Sequence, residues 1–386
     1  MKKRCKTALI GAGFVGRVHL ENLMRSGCGE VAALVSAPVD LIRASKIAAQ
    51  FGIERVETDY RRVLEDPTID VVHICTPNSS HASIAGDALE AGKHVLCEKP
   101  LATSLGAARD LARLASEKKL RNCTCFNLRF YPLVQQMRQM CAQGDLGEIL
   151  AVQGYYSQDW LLQDTDWNWR LDSKETGSSR AMADIGSHWF DMAEFVTGLR
   201  ITALCADLQT FHRTRRQPIG PLETYAVNAP QAAELRDVAI DTEDFGAVVF
   251  RMGDRARGNF TANQMSAGRK NRVCIEVYGS KTGMAWNGEN PNELWIGHRN
   301  SPNQILVKDP PLMLPDAASS ATLPGGHAEG YSDTFRQMFN HFYRAIEDSS
   351  VKPDYPQFAD GIRQMEVVDA ALESWRSHAW VEVAED

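Results

Sequence analysis

Six residues near the start, Gly11-Ala12-Gly13-Phe14-Val15-Gly16, constrain this chain more than any other stretch. They follow a short apolar run, Thr7-Ala8-Leu9-Ile10, and open a segment with helical spacing over residues 15–26. GxGxxG alone is a weak signal; between a strand and a helix it is a phosphate-cradling turn. Gly11 allows the tight turn, Gly13 lets a pyrophosphate approach the backbone, and Gly16 lets helix and strand pack closely. The anion would sit at the helix N-terminus, where free N–H groups and the helix dipole favour negative charge.

The N-terminal third keeps alternating strand-like and helix-like segments. Strand candidates cover residues 31–35, 71–75, 94–98 and 122–126; helices are expected over 39–51, 59–64, 80–91 and 105–118. Apolar runs too short for helices, alternating with amphipathic segments, imply a parallel sheet covered on both faces. NAD-preferring folds of this kind carry an acid about 20 positions after the glycines. Here that place holds Ser36, and the nearest basic residues are Arg43 and Lys46. NAD or NADP is therefore compatible; the reading leans to NAD, because a 2′-phosphate usually wants an arginine. The turn Thr76-Pro77-Asn78, with His81, lies at the carboxyl edge of the sheet. It is expected to line the cofactor, with Ser79 or Ser80 capping the next helix.

Glu98-Lys99-Pro100 ends a strand at the same edge. Pro100 pushes Lys99 towards an extended backbone, which would hold the lysine stem where it can point into the cleft. A partly desolvated lysine can polarise a hydroxyl oxygen and exchange a proton. Further on, Asp184 and His188 stand four apart, so one helical face would carry both. His188 can accept a proton near neutral pH, and Asp184 can orient it or bind substrate. Gly177-Ser178-Ser179 before them reads as a flexible entry to that helix. Residues 155–170 are rich in rings and polar groups, among them Tyr155, Tyr156, Trp160, Trp167 and Trp169. Aromatic faces suit the C–H faces of a pyranose.

These motifs, in this order, closely resemble the glucose–fructose oxidoreductase/inositol dehydrogenase (Gfo/Idh/MocA) family. The match covers the glycine turn, Thr76-Pro77-Asn78 with His81, Ala91-Gly92-Lys93-His94-Val95-Leu96-Cys97-Glu98-Lys99-Pro100 and Asn127-Leu128-Arg129-Phe130. It continues through Gly144-Asp145-Leu146-Gly147-Glu148-Ile149, Trp169-Arg170 and Asp184 to His188. The resemblance implies an α/β architecture: an N-terminal Rossmann domain over residues 1–126, then an α/β domain over 127–386 built on a large, open, mostly antiparallel sheet. It implies NAD(P)-dependent oxidation of a sugar, inositol or related polyol. It places Lys99, Asp184 and His188 in catalysis. Ser36, Glu98, Asn127, Trp169 and Arg170 would contact the cofactor, and Arg129, Tyr155 and Trp160 the substrate. A homo-oligomer, dimer or tetramer, fits family habit.

From residue 127 the pattern does change, to longer strand candidates over 149–156, 201–210, 244–252, 256–264 and 273–279. A polar stretch over 213–241 reads as a long loop covering the substrate or an oligomer contact, and Arg213-Thr214-Arg215-Arg216 within it as solvated. The segment 310–330 reads as irregular, and closing helices over 331–347 and 357–377 as structural.

Composition narrows the partners. At 386 residues, two domains are the natural expectation. A net charge of −7 argues against nucleic acid. No apolar run is long enough to span a membrane. The basic start Met1-Lys2-Lys3-Arg4 precedes too short an apolar run for a secretory leader. Nine scattered cysteines without a CxxC pattern point to reduced thiols in a cytoplasmic protein with no metal site. Two other classes fit the same scaffold: a lyase or glycosidase using transient redox, and a ligand sensor, against which the retained Lys99, Asp184 and His188 argue.

Overall fold

The structure is a computed structural model describing residues 4–219 and 234–384. Met1 to Lys3, and Gly220, Pro221 and Pro230 of the polar stretch, lie outside the described residues. The chain forms two compact units. The first comprises Met1–Asn127, Lys174–Gly177 and Ser332–Arg363; the second comprises Leu128–Ser173, Ser178–Tyr331 and Gln364–Asp386.

In the first unit, β1 (Cys5–Ile10), β2 (Gly29–Val35), β3 (Val56–Glu57), β4 (Val71–Ile74), β5 (His94–Cys97) and β6 (Asn122–Thr124) make one parallel sheet. Its order is β3-β2-β1-β4-β5-β6. The order reverses between β1 and β4, the switch point where such sheets bind ligands. The helices are α1 (Phe14–Ser26), α2 (Leu41–Phe51), α3 (Arg61–Leu64), α4 (His81–Glu90) and α5 (Leu105–Glu117). Leu9, Leu20, Leu34, Ala44 and Ala48 close one side of the sheet into a core. The alternating pattern thus gave the expected elements; β3, only two residues long, left no periodicity to read.

The second unit begins with α6 (Pro132–Ala142) and β7 (Ile149–Ser157), followed by α7 (Ser173–Thr176), of which only Ser173 belongs to this unit, and α8 (Ser187–Thr197). The strands β8 (Ile201–Gln209), β9 (Thr214–Pro218), β10 (Leu235–Ala239), β11 (Phe245–Met252), β12 (Ala256–Asn263) and β13 (Arg272–Gly279) come next. They continue in β14 (Thr282–Asn287), β15 (Glu293–His298) and β16 (Gln304–Val307), and after α9 (Pro315–Ala318) the last is β17 (Val381–Glu382). The large sheet runs β16-β15-β14-β13-β7-β12-β11-β8-β17. Its pairs are antiparallel except β7 with β12.

Alternation along β11 buries Val248, Phe250 and Met252 and exposes Val249 and Arg251. The buried side faces α8, where Trp189 stacks on Phe260 with centroids 4.5 Å apart. A side chain on Gly154 of β7 would strike Trp189 Nε1, so this glycine makes the slot that the indole fills. Trp189 Nε1 then donates to Cys274 O at 2.7 Å.

Two expectations need correction. The stretch 213–241 is not a plain loop: β9 and β10 pair antiparallel within it. Nor is its basic run solvated throughout. Arg215 is fully buried, donating to Asp244 at 2.9 Å and to Leu161 O and Gln163 O at 2.8 Å each. Arg216, on the other strand face, pairs with exposed Asp164.

Of the closing helices, α10 (Tyr331–Glu347) buries Phe335, Met338, Phe339, Phe342 and Tyr343, the spacing of one helical face. In α11 (Phe358–Ser377), Ser374 Oγ accepts from the Ala206 amide of β8 at 3.0 Å.

Candidate active site

Each glycine of the first motif has a distinct geometric reason. Gly11 has φ +106°, and a Cβ there would sit 2.5 Å from Cys75 O. A Cβ on Gly16 would lie 1.9 Å from Gly11 O, so only glycine lets α1 start this close to β1. A Cβ on Gly13 would meet nothing within 4 Å. Gly13 is also the N-cap of α1 and has no side chain to accept from the first-turn amides. Open space beside uncapped amides is the cradle a pyrophosphate needs, so the residues fit a dinucleotide. Ser36 follows β2, is nearly buried, and its amide donates to Glu57 O at 3.0 Å. Arg43 is paired with Asp40 at 2.9 Å.

The second strip of the same edge is held by His81. One ring nitrogen lies 2.7 Å from Pro100 O and the other 2.9 Å from Thr76 O. His81 is thus buried between the Thr76-Pro77 turn and the Lys99-Pro100 segment, tying one to the other. Burial lowers its pKa, against the two carbonyls. Asn78 points its amide at Thr176 O, 3.5 Å away. Neither serine caps α4 as expected: Ser80 Oγ turns to Thr76 Oγ1 and Pro77 O, and Ser79 Oγ donates to Glu175. Asn127 is buried, its amide donating to Thr334 Oγ1 at 2.8 Å. Lys99 ends β5's extension with a cis bond to Pro100, and its amide donates to Glu98 Oε2 at 3.3 Å.

In the second unit, Asp184 and His188 share a helix whose first turn differs from expectation. Met182–Gly186 is a π turn, and the α-helix proper starts at Ser187. One residue is thereby inserted into the turn that carries Asp184, a departure that recurs at functional sites. The entry is anchored, not flexible. Buried Glu243 accepts through Oε1 from Ser179 Oγ at 2.7 Å and from the amides of Arg180 and Met182 at 2.9 Å each.

Asp184 is oriented by two donors. Arg170 Nε lies 3.4 Å from Oδ1, and Gln264 Nε2 lies 3.4 Å from Oδ2. Arg170 stacks over Trp169 at 4.5 Å and is steadied by Asn168 Oδ1. Gln264 is fixed in turn by buried Arg180, which donates to its Oε1 at 2.7 Å. Burial works against the Asp244 carboxylate, yet Arg180 and Arg215 hold its pKa below the ordinary range. The set Arg180, Glu243, Asp244 and Gln264, with the Arg215 that reads as solvated, leaves no signal in the sequence. Its members lie up to 84 positions apart along the chain and share no motif.

Three expected substrate contacts have other partners. Arg129 grips buried Asp191 of α8 with two nitrogens, Nε at 2.8 Å from Oδ2, and lies over the Phe195 ring. Tyr155 follows Gly154 in β7 and so points to the sheet face away from α8, where Arg272 lies over its ring at 5.0 Å. Trp160 packs against a small cluster of Leu161, Leu171 and Ile240, its Nε1 donating to Gln158 Oε1 at 2.8 Å.

Known proteins share this plan. The profile described as "Oxidoreductase family, NAD-binding Rossmann fold" matches residues 5–125, and the GFO/IDH/MocA C-terminal domain matches 134–285. Levoglucosan dehydrogenase of Pseudarthrobacter phenanthrenivorans is 30% identical, covering 97% of each chain. Inositol 2-dehydrogenase of Rhizobium meliloti is 26% identical, over 97% of this chain and 98% of its own. A solved levoglucosan dehydrogenase, in complex with NADH and L-sorbose, superposes with a TM-score of 0.88 at 28% identity and full coverage of both chains. The chain belongs to the Gfo/Idh/MocA oxidoreductase family.

Proposed function

We propose that the protein is an NAD-dependent dehydrogenase that oxidises a secondary hydroxyl of a pyranose sugar or related polyol. The observation that carries this reading is the cradle over Gly13, open at the N-terminus of α1 on the sheet whose strand β5 leads into Lys99. The names of its full-length relatives, levoglucosan and inositol dehydrogenases, support the substrate class. Arg43, already paired with Asp40, supports NAD over its 2′-phosphorylated form.

A bound nicotinamide supplies the hydride acceptor. The chain's own part is to hold the dinucleotide through Gly11 to Gly16 and the Thr76-Pro77 turn, and to manage the hydroxyl proton. His188 takes that proton, Lys99 stabilises the developing alkoxide with its ammonium, and Asp184 orients imidazole and substrate. Arg170 and Gln264 keep Asp184 turned for this role. Nine free cysteines support a cytoplasmic setting, and no helix among the described residues is long and apolar enough to cross a membrane. The exposed Val249, Ile305 and Val307 of the large sheet support a homo-oligomer.

The test is a panel of anhydrosugars, pyranosides and inositols, assayed for steady-state formation of NADH and NADPH. Sustained NADH formation is expected. Lys99→Ala and His188→Ala should each lower kcat by about 100-fold or more while NADH still binds. Product formation without net coenzyme reduction would replace this reading with a transient-redox lyase. Ligand binding with no turnover at all would replace it with a sensor.

A further inference from the structure

Behind Lys99 runs a buried chain of polar side chains that the hydride and proton steps do not require. It starts at Glu98, whose Oε2 accepts from the Lys99 amide. Glu98 Oε1 lies 3.0 Å from His19 Nε2. His19 Nδ1 lies 3.1 Å from His73 Nδ1, and His73 Nε2 lies 3.0 Å from the Tyr343 hydroxyl. That hydroxyl is 2.6 Å from Thr7 Oγ1. Thr7, His19 and His73 are fully buried. Phe339 packs edge-on to both imidazoles, with centroids 5.0 and 4.9 Å away.

Proton counting fixes the Glu98 end of the chain. Burial would raise Glu98, but the hydrogen bond and charge of His19 outweigh it, with Cys125 and Lys99 adding to them, and lower it from 4.5 to about 2. A carboxylate only accepts, so His19 Nε2 carries a proton. The facing Nδ1 atoms of His19 and His73 share one proton, and the Tyr343 hydroxyl bridges His73 Nε2 and Thr7 Oγ1. Burial, and then His19, push His73 well below 6.5, as a neutral ring requires.

His19 stands on α1, three residues beyond Gly16. The close approach of Gly16 to Gly11 O, where a Cβ would lie 1.9 Å away, sets α1 tightly against β1. The helix that offers its first amides to a pyrophosphate therefore also carries the imidazole that holds Glu98. We propose that His19 and Glu98 are positioning residues, through which α1 fixes the Lys99 backbone in register with the bound dinucleotide. The proposal rests on the reading of Lys99 as the group that stabilises the substrate alkoxide.

Two measurements test it, one of them independent of any substrate. Nitrogen-15 NMR of the intact protein should show a proton on His19 Nε2, held against the Glu98 carboxylate. In the same samples the Lys99 amide should be protected from hydrogen exchange. His19→Leu should abolish that protection and lower kcat about 10- to 100-fold, with NADH affinity within about threefold of wild type. His19→Gln, whose amide can still donate to Glu98, should restore most of both. In a double-mutant cycle, His19→Leu added to Glu98→Gln should cost little more than Glu98→Gln alone. A bare His19 Nε2, or Lys99 protection that survives His19→Leu, overturns the proposal. So does a His19→Gln variant as slow as His19→Leu. If the wild type oxidises no sugar, the functional reading fails, and the NMR and exchange results still decide the positioning role.

Discussion

Three glycines within six residues answer to three different constraints, and adding one methyl group at a time separates them. At Gly13, φ is −75° and a Cβ would occupy open space. Gly13→Ala should therefore melt close to wild type, within about 0.5 kcal/mol, while NADH binding weakens about tenfold or more because the methyl intrudes where the phosphate sits. At Gly16, the same methyl meets Gly11 O and must push α1 off β1. Gly16→Ala should cost about 1–3 kcal/mol or more and weaken binding as well. Thermal melts and NADH titration of the two variants check this; equal melting losses would remove the cofactor-facing role of Gly13. Single residues whose reasons are local were legible in the sequence in this way. Arg129 and Arg215 were not. A guanidinium shows its charge in the sequence but not the carboxylate it will meet, and Asp191 and Asp244 lie 62 and 29 positions away.

At the scale of elements, legibility followed periodicity. The parallel strands of the first unit and the strands from β7 to β13 in the large sheet stand out as apolar or alternating runs. β14 and β15 do not, because each carries a glycine where a neighbouring ring needs room: Gly283 under Tyr278 and Gly297 under Trp295. In a sequence such glycines read as breaks. The entry to α8 misleads for a related reason. Gly177-Ser178-Ser179 looks loose until Glu243, 64 positions after Ser179, closes on it. Glu243 also carries a pH signature. Burial raises its pKa above 4.5 despite its donors, so the folded state favours the protonated form. Its contribution to stability is then fullest below about pH 4.5 and falls as pH rises through the raised value. Glu243→Gln keeps an accepting oxygen and removes the charge. It should be as stable as wild type or more so at pH 8, with a flatter pH dependence in chemical denaturation. Glu243→Ala should lose about 1–3 kcal/mol, because three donors are left without their acceptor. A Gln variant that is destabilised at pH 8 as much as the Ala variant would show that the negative charge itself anchors α8.

At the scale of the whole molecule, the large sheet keeps a partly exposed face among the described residues. Directly paired residues point the same way, so one row can be followed from β11 to β16: Val249, Asn259, Gln153, Glu276, Ala285, Trp295 and Ile305. Every member is at least partly exposed, and Val249 and Ile305 are 49% and 55% exposed. Two of the polar members are bonded within the face: Gln153 donates to Glu276 at 2.8 Å, and Tyr278 donates to the same carboxylate at 2.6 Å. A flat surface that mixes exposed aliphatic groups with internally satisfied polar ones has the make-up of a subunit interface. A second copy of the chain is the partner expected there. Wild-type protein should sediment as a dimer or tetramer at micromolar concentration. Val249→Glu combined with Ile305→Glu would bury two carboxylates without partners in that contact, at a cost of several kcal/mol, and should shift the protein to monomer. Neither residue belongs to the inner core, so the circular dichroism spectrum and the affinity for NADH should be kept. A wild type that sediments as a monomer, or a double variant that still assembles, would leave this face without the role its composition suggests.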